Sequence, residues 1–556
     1  MDEQQVFDAD DFKKLSVKRI LIHLIITLLF AAIYFYVSLP TINLHATEFY
    51  SFLAITIAVF IGLCLLGAGK AAVSTRRGAL RYIRQSCKIP AILLALIAVV
   101  VLIGTLSSAV IFRASAYSQL ISTTTGDFAA DVTEISFDQI PMLDSDSANV
   151  LTNRKLGELS DLVSQFEVDP TSAQINYQGR PVRVTYLNYG DFFKWWANHD
   201  NGIPAYMITD MVTQEVTVVR LEEGMKYTPS ELFNRNLLRH LRFQYPTKMF
   251  SDVNFEIDEA GHPWYIASVV DKTIGLFGGT DVVGAILLDA VTGESSYYPV
   301  SEVPTWVDRV YDADLIIEQY DYFGEYHNGF WNSLFGQTGC TVTTDGYNYI
   351  AQDDDVWLYT GVTSVSGDES NIGFLLVNQR TKQAKYYAIA GAEEYSAINS
   401  AQGAVQQYRY QATFPLLLNI SGQPTYFMAL KDASSLVKMY AMVNVQQYQI
   451  VATGSSLAAC ELAYISLLKE NNINVGDISL MDKALLYEKT GTVAEIRTAV
   501  LDGTTYYYFR LDGNTLFYRI SAAACEHAIV VSPGDTVIIS GSGEERDGIR
   551  PADTIQ

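Results

Sequence analysis

The residues best placed to do chemistry lie near the C-terminal end of the chain. In the stretch 506–510, Tyr-Tyr-Tyr-Phe-Arg, strand alternation puts Tyr506, Tyr508 and Arg510 on one face and Tyr507 and Phe509 on the other. Phe517 and Arg519 alternate likewise on the next strand. Two guanidiniums beside three rings suit a carboxylate-bearing ligand, because Arg pairs carboxylates bidentately and stacks on aromatic faces. Tyr507, Phe509, Leu511, Leu516 and Ile520 fall to the other side as core, with Tyr518 at its margin. The plain alternatives are that Glu495 and Asp512 take up the two Arg charges, or that the face packs on a neighbouring domain.

Other combinations carry less. The chain has no H-E-x-x-H, no G-x-S-x-G, no phosphate-binding P-loop and no C-x-x-C. Cys525 and His527 are near neighbours in sequence, whereas a Cys–His pair works through contact in space. His327 and Cys340 have room to meet in a loop-rich region. Asp353, Asp354 and Asp355 offer oxygens to calcium but lack the spaced D-x-[DN]-x-[DN]-G pattern, so a solvated strand edge is the reading adopted. Arg235, Arg239 and Arg242 fall on one helical face with Glu231 four residues ahead of Arg235. That stripe reads as internal ion pairing, with docking of an acidic partner or lipid headgroups as the alternative. No catalytic residue, metal or cofactor is assigned.

The elements that must carry these residues follow from charge and hydropathy. Residues 1–113 carry a net charge of +5, which leaves −28 on residues 114–556 of a chain whose total is −23. So acidic an exterior excludes a nucleic-acid protein, because phosphate binding needs a basic footprint. Three apolar runs, 20–39, 52–68 and 91–112, approach or reach the length that crosses a bilayer as helix. Lys13, Lys14, Lys18 and Arg19 precede the first run, and Lys70, Arg76, Arg77, Arg81, Arg84 and Lys88 lie between the second and third. The loop 43–51 has no Lys or Arg. The positive-inside rule then places the N-terminus in the cytoplasm and the large C-terminal part outside it, in a multi-pass cell-membrane protein. Gly104 and Ser108 form a small-xxx-small pair that permits close helix contact and self-association. Of five cysteines only Cys340, Cys460 and Cys525 lie beyond the anchor, and they are expected as buried thiols.

Beyond the anchor, 114–170 reads as a connector with a helix over 153–166. From 179 onward the texture is strand-like. One pattern recurs: an apolar run ends in Asp or Asn, turns, and leads to another strand. The copies start at Tyr206, Ala285, Phe374 and, more weakly, Met442, with the turn residues Asp210/Thr213, Asp289/Thr292 and Asn378/Thr381 in register. Each reads as a β-hairpin opened by an Asx turn. A second pattern, G-x-P-x-Y, occurs at Gly202, Gly261 and Gly422. Helices are expected over 229–242, 306–320, 393–408 and 457–469. Helices alternating with antiparallel strands imply an α+β class.

The stretch G-H-P-W-Y from Gly261, followed by the strand and turn over 285–298, resembles PepSY-like units, small α+β modules of bacterial envelope proteins. The resemblance implies a non-enzymatic role in restraining or regulating a surface partner such as a peptidase. The five short strands over 489–543 resemble an OB-like barrel, in which the second and third strands commonly carry the ligand. That resemblance makes Tyr506, Tyr508, Arg510, Phe517 and Arg519 the binding residues. The organisation expected is an anchor over 1–113, a connector over 114–170, PepSY-like regions over 171–303 and 304–475, a barrel over 489–543 and a frayed polar tail over 544–556. The partners expected are the lipid bilayer, a surface protein or a second copy, and a cell-wall glycan. An envelope hydrolase or transferase with a dispersed site, and a subunit of a transport or secretion complex, are the alternative functions.

Overall fold

The computed structural model describes residues 9–71, 76–132, 140–352, 354–366, 370–473, 486–501, 504–522, 525–542, 545 and 548–556. Helices α1 (Ala9–Ser38), α2 (Thr47–Ala71) and α3 (Arg76–Ser108) open the chain. Their segments Val17–Ser38, Thr47–Gly67 and Tyr82–Ser108 are long and apolar enough to cross a membrane. The third run therefore starts before residue 91 and stops short of 112. It stops because Ala109 is extended, after which helix α4 (Val110–Tyr117) restarts. Side chains fix this break. The Ser108 hydroxyl donates to the Gly104 carbonyl (2.8 Å) and accepts the N–H groups of Leu276 (3.0 Å) and Phe277 (2.9 Å). The Tyr117 hydroxyl donates to the Ser108 carbonyl at 2.7 Å. A Cβ at Gly104 would collide with the Phe277 ring. The small-residue pair thus seats a hairpin tip of its own chain, which removes it as support for self-association.

A large mixed α/β region follows, with many sheets. Four times, a helix precedes an antiparallel meander. Helices α5 (Phe128–Asp131) and α6 (Ser145–Gly157) come before the first sheet, whose longest strands are Arg180–Tyr189, Ile203–Asp210 and Val216–Met225; helix α7 (Phe192–Asn198) is inserted within it. Helix α8 (Leu237–Gln244) precedes the second sheet, Met249–Ile257, Pro263–Ile274, Gly278–Asp289 and Ser295–Pro299. Helix α9 (Ala313–Tyr326) precedes the third, built on Asn348–Gln352, Asp355–Ser364, Gly373–Asn378 and Ala384–Tyr387. Helix α10 (Glu394–Ala404) precedes the fourth, Leu416–Ile420, Gln423–Lys431, Val437–Asn444 and Val451–Gly454, and α11 (Leu457–Glu470) follows it.

The repeated turns are built alike. Asp210, Asp289, Asn378 and Asn444 each accept, through one side-chain oxygen, the N–H groups two and three residues on, at 2.8–3.1 Å. The residue after each donates its N–H to the start of the preceding strand: Met211 to Pro181, Ala290 to Pro263, Gln379 to Val356 and Val445 to Pro424, at 3.0–3.2 Å. This places the Gly202 copy of G-x-P-x-Y out of phase. Counting from Ala173–Tyr177, which pairs with Arg180–Tyr189, it opens the third strand of its meander, whereas Gly261 and Gly422 open the second. Its in-phase counterpart is Gly179-Arg180-Pro181, where Gly179 has φ +74.

The sheets share cores face to face. Tyr186, Tyr206, Phe255 and Tyr265 lie in one core between the first and second. Ile266 and Leu287 turn the other way and meet Leu358, Leu375 and Val377 of the third. Tyr359, Phe374 and Leu376 face Leu417, Tyr426 and Phe427 of the fourth. Strand alternation thus buries both faces of the two middle sheets. The segment at Asp308 and Arg309 pins three sheets together. Glu256 accepts both their N–H groups (3.0 and 3.1 Å), Asp308 accepts the N–H of Asn176 (2.6 Å), and Arg309 donates to the Tyr349 hydroxyl (3.3 Å).

Several expectations are corrected. The helix over 229–242 is only Leu237–Gln244, capped by Asn236, because Glu231 ties the preceding segment down by accepting from Tyr189 Oη and Trp195 Nε1, both at 2.8 Å. The helix over 153–166 is Ser145–Gly157, capped by Asp144, and Phe166 already begins a strand. The third expected helix starts at Ala313, where Asp312 caps it, rather than at 306. The connector is structural: Thr123–Thr125 pairs in parallel with Ala384–Tyr387, and Phe128 and Val132 enter the core between the third and fourth sheets. The tail is not frayed over its last described residues, since Ile549–Pro551 and Thr554–Ile555 pair as strands and Ile555 is buried.

Candidate ligand face of the terminal barrel

The strand Leu486–Leu501 is long enough to serve two sheets. Its first half pairs with Thr536–Ser542 and its second with Thr504–Leu511, with a register shift between Val493 and Glu495. Thr504–Leu511 pairs with Phe517–Ser521. The last segment closes the ring, Ile549–Pro551 lying parallel to Phe517–Ser521 and Thr554–Ile555 antiparallel to Thr536–Ser542. Phe509, Leu511, Ile520 and Ile539 fill the interior. Tyr518 is core rather than margin, 1% exposed, and Asn514 donates to its hydroxyl at 2.9 Å. Leu516 lies just before the strand and stays half-buried outside that core.

Register sets the outer face. Arg510 lies opposite Phe517 on one side and Glu495 on the other; Tyr508 lies opposite Arg519 and Arg497. Tyr506, Tyr508, Arg510, Phe517 and Arg519 therefore share one half-exposed surface, and Arg497 joins them. The charges are not equivalent. Arg510 grips Glu495 at 2.9 Å, and Arg497 holds the other oxygen of the same carboxylate at 2.8 Å. Hydrogen bonds from Arg497 and Arg510 hold the Glu495 carboxyl below the usual range. Arg497 also covers the Phe517 ring at 4.7 Å. Arg519 instead lies 5.3 Å from the Tyr506 ring centre and pairs with no carboxylate among the described residues. Asp512 pairs with neither Arg. Local pairing thus accounts for Arg510 and leaves Arg519. Arg497 was missed in the sequence because its place depends on the hairpin register across 493–511.

The other candidate groups are structural. His327 bonds the Gly324 carbonyl (3.0 Å) and Asn328 (2.9 Å), while Cys340 donates to the Glu325 carbonyl (3.4 Å). Burial pushes the Cys340 thiol up, away from a reactive thiolate. Cys525 points to the Ile555 carbonyl. Cys340, Cys460 and Cys525 are all free, with the first two buried. Asp353 lies outside the described residues. Asp355 is not a solvated edge: it is buried and bound twice by Arg380, at 2.7 and 2.8 Å. No group of three or more His, Cys, Asp or Glu among the described residues could hold a metal ion.

The Arg stripe is not ion-paired internally either. Arg235 donates to the His199 carbonyl (2.6 Å), Arg239 to the Tyr36 carbonyl (3.2 Å) and Arg242 to the Leu39 carbonyl (3.0 Å). Two of the three thus cap the carbonyl end of α1, the end at which a helix dipole favours cations. No protein-family model matches the chain, and no curated protein matches it.

Proposed function

We propose that this is a non-enzymatic cell-envelope protein. Its three apolar helices anchor it in the membrane with the N-terminus cytoplasmic, and its acidic sheet assembly stands outside as a scaffold for the terminal barrel. The barrel's outer face binds a carboxylate-bearing surface ligand, either an acidic segment of a protein such as a peptidase or a cell-wall glycan. Two features support the finer reading. The four helix-plus-meander units, with their repeated Asx turns, are in keeping with PepSY-like modules. The barrel's strand order, with its last segment parallel to the third strand and antiparallel to the fourth, is in keeping with an OB-like fold.

The observation that carries the binding reading is Arg519, seated on Tyr506 with no carboxylate partner among the described residues of a chain of net charge −23. The test is titration of the full chain in detergent with a Glu-rich peptide and with soluble peptidoglycan fragments. One of these probes should bind, and Arg519→Ala should weaken it by about 2 kcal/mol with the melting temperature unchanged. If neither probe binds, or if Arg519→Ala melts early and binds normally, the face is structural.

A further inference from the structure

Between α1 and the first two sheets lies an apolar platform that no part of the described chain covers. Phe192, Phe193, Trp196, Phe233, Leu238 and Phe243 are 51–79% exposed. They do not sit on floppy loops. Asp191 caps α7 through the N–H groups of Phe193 (2.8 Å) and Lys194 (3.0 Å). Trp195, beneath the exposed rings, is clamped by the buried Glu231 and contacts Phe192 at 5.6 Å and Phe233 at 6.0 Å. Phe233 itself has φ +52, an unusual backbone state for a bulky residue, and its ring is 62% exposed. A strained backbone that presents a ring to the outside is an outlier that points to use.

What surrounds the platform follows from its attachment. Phe243 packs on Phe35 (5.6 Å) and Tyr36 (6.1 Å) of α1. The Arg239 guanidinium lies 4.3 Å from the Tyr36 ring centre. Ile42 donates its N–H to the Pro246 carbonyl (2.8 Å), and Asn43 donates to Thr247 (2.9 Å). Phe35 is three residues inside the end of α1 at Ser38, about 4.5 Å along the axis at 1.5 Å per residue. Phe243 is therefore level with the end of the apolar span, and Arg235, which donates to the His199 carbonyl at 2.6 Å, ties α7 and its rings to the segment that leads into α8. Aromatic side chains concentrate at that level of a bilayer, with basic groups reaching the headgroups.

We propose that this platform is seated in the outer-leaflet interface of the membrane, so that the first two sheets lie against the lipid surface instead of standing free on the three helices. The inference rests on the membrane placement of α1–α3 made above, and the test keeps the two apart. The full chain is reconstituted into phosphatidylcholine–phosphatidylglycerol vesicles with and without bromine on the acyl chains. Bromine quenches tryptophan only at close range. Trp331, an exposed tryptophan of another turn, is removed first as Trp331→Phe. In that background the emission should be quenched by brominated lipid, and Trp196→Phe should abolish most of the quenching. Adding Phe193→Trp, one helical turn away on the same exposed side, should restore it. If the protein resists alkaline extraction from the vesicles yet Trp196→Phe leaves quenching unchanged, the platform is not in lipid. If alkaline extraction releases the protein, the membrane placement fails and this inference with it.

Discussion

Glu256 and Asp308 show what a single carboxyl can do when no water reaches it. Burial pushes the Glu256 carboxyl up to about 7, although it accepts two backbone N–H groups. Burial, and then the charge of Glu256, raises Asp308 well above the ordinary carboxylate range. A carboxyl whose folded pKa is raised binds its proton more tightly folded than unfolded. Its stability contribution is therefore greatest at low pH and is lost as pH rises from the unfolded value, near 4, through the folded one. Asp308→Asn keeps an oxygen for the Asn176 N–H and removes the charge. It should raise the melting temperature at pH 8 by on the order of 2–4 °C and change it little at pH 5, as calorimetry in detergent would show. An equal shift at both pH values would mean that Asp308 is not the titrating group. Neither residue was legible in the sequence, because an acid in a strand, as Glu256 is, or in a connecting segment, as Asp308 is, reads as solvated until the sheets covering it are known. Tyr506, Tyr508 and Arg519 were legible, because strand alternation alone fixes their side.

At the scale of elements, the turns were readable because they are local. An Asp or Asn followed three residues on by Thr needs only its own backbone to close. Asp289 does more, since His262 Nε2 lies 3.1 Å from it. Burial alone would raise its carboxyl, but the N–H groups of Thr292 and Val291, with His262, bring it below the usual range. Asp289→Ala should cost roughly 1–2 kcal/mol and speed hydrogen exchange at Val291 and Thr292, with no effect on the ligand binding proposed for the face around Arg519. Lost binding at unchanged stability would place Asp289 in a site instead. The phase of G-x-P-x-Y at Gly202 was not legible in the sequence, because phase depends on counting strands and a helix is inserted in that meander. The same blindness applied to Gly104, whose neighbour is 173 residues away in Phe277. Gly104→Leu should unseat the tip around Gly275–Gly279 and open it to limited proteolysis while α1–α3 stay helical. A tip that remains resistant would show that Phe277 can repack.

At the scale of the whole molecule, the stretch read as a connector is part of the exterior assembly. Three things before Asn153 belong to the assembly. Thr123–Thr125 extends the third sheet, Phe128, Val132, Ile140 and Met142 fill the core between the third and fourth, and Asp144 pairs with Lys431 across to the fourth. None of this was visible in a segment rich in Ser, Thr and Asp, because its strand borrows hydrogen bonds from a partner 260 residues away. A chain shortened to start at Asn153 loses all of it and exposes an apolar core between two sheets. A chain that starts at Ala109 keeps it and loses the supports at α1, the loop around Ala46 and the Gly104–Ser108 seat of the tip around Phe277. The longer version should therefore be monodisperse in mild detergent and melt in a cooperative transition, while the shorter should aggregate or bind a hydrophobic dye without such a transition. Burial of four such side chains at about 1.5–3 kcal/mol each is comparable to the net stability of a whole domain, so the contrast should be large. Equal behaviour of the two versions would mean that the third and fourth sheets close their core without the connector.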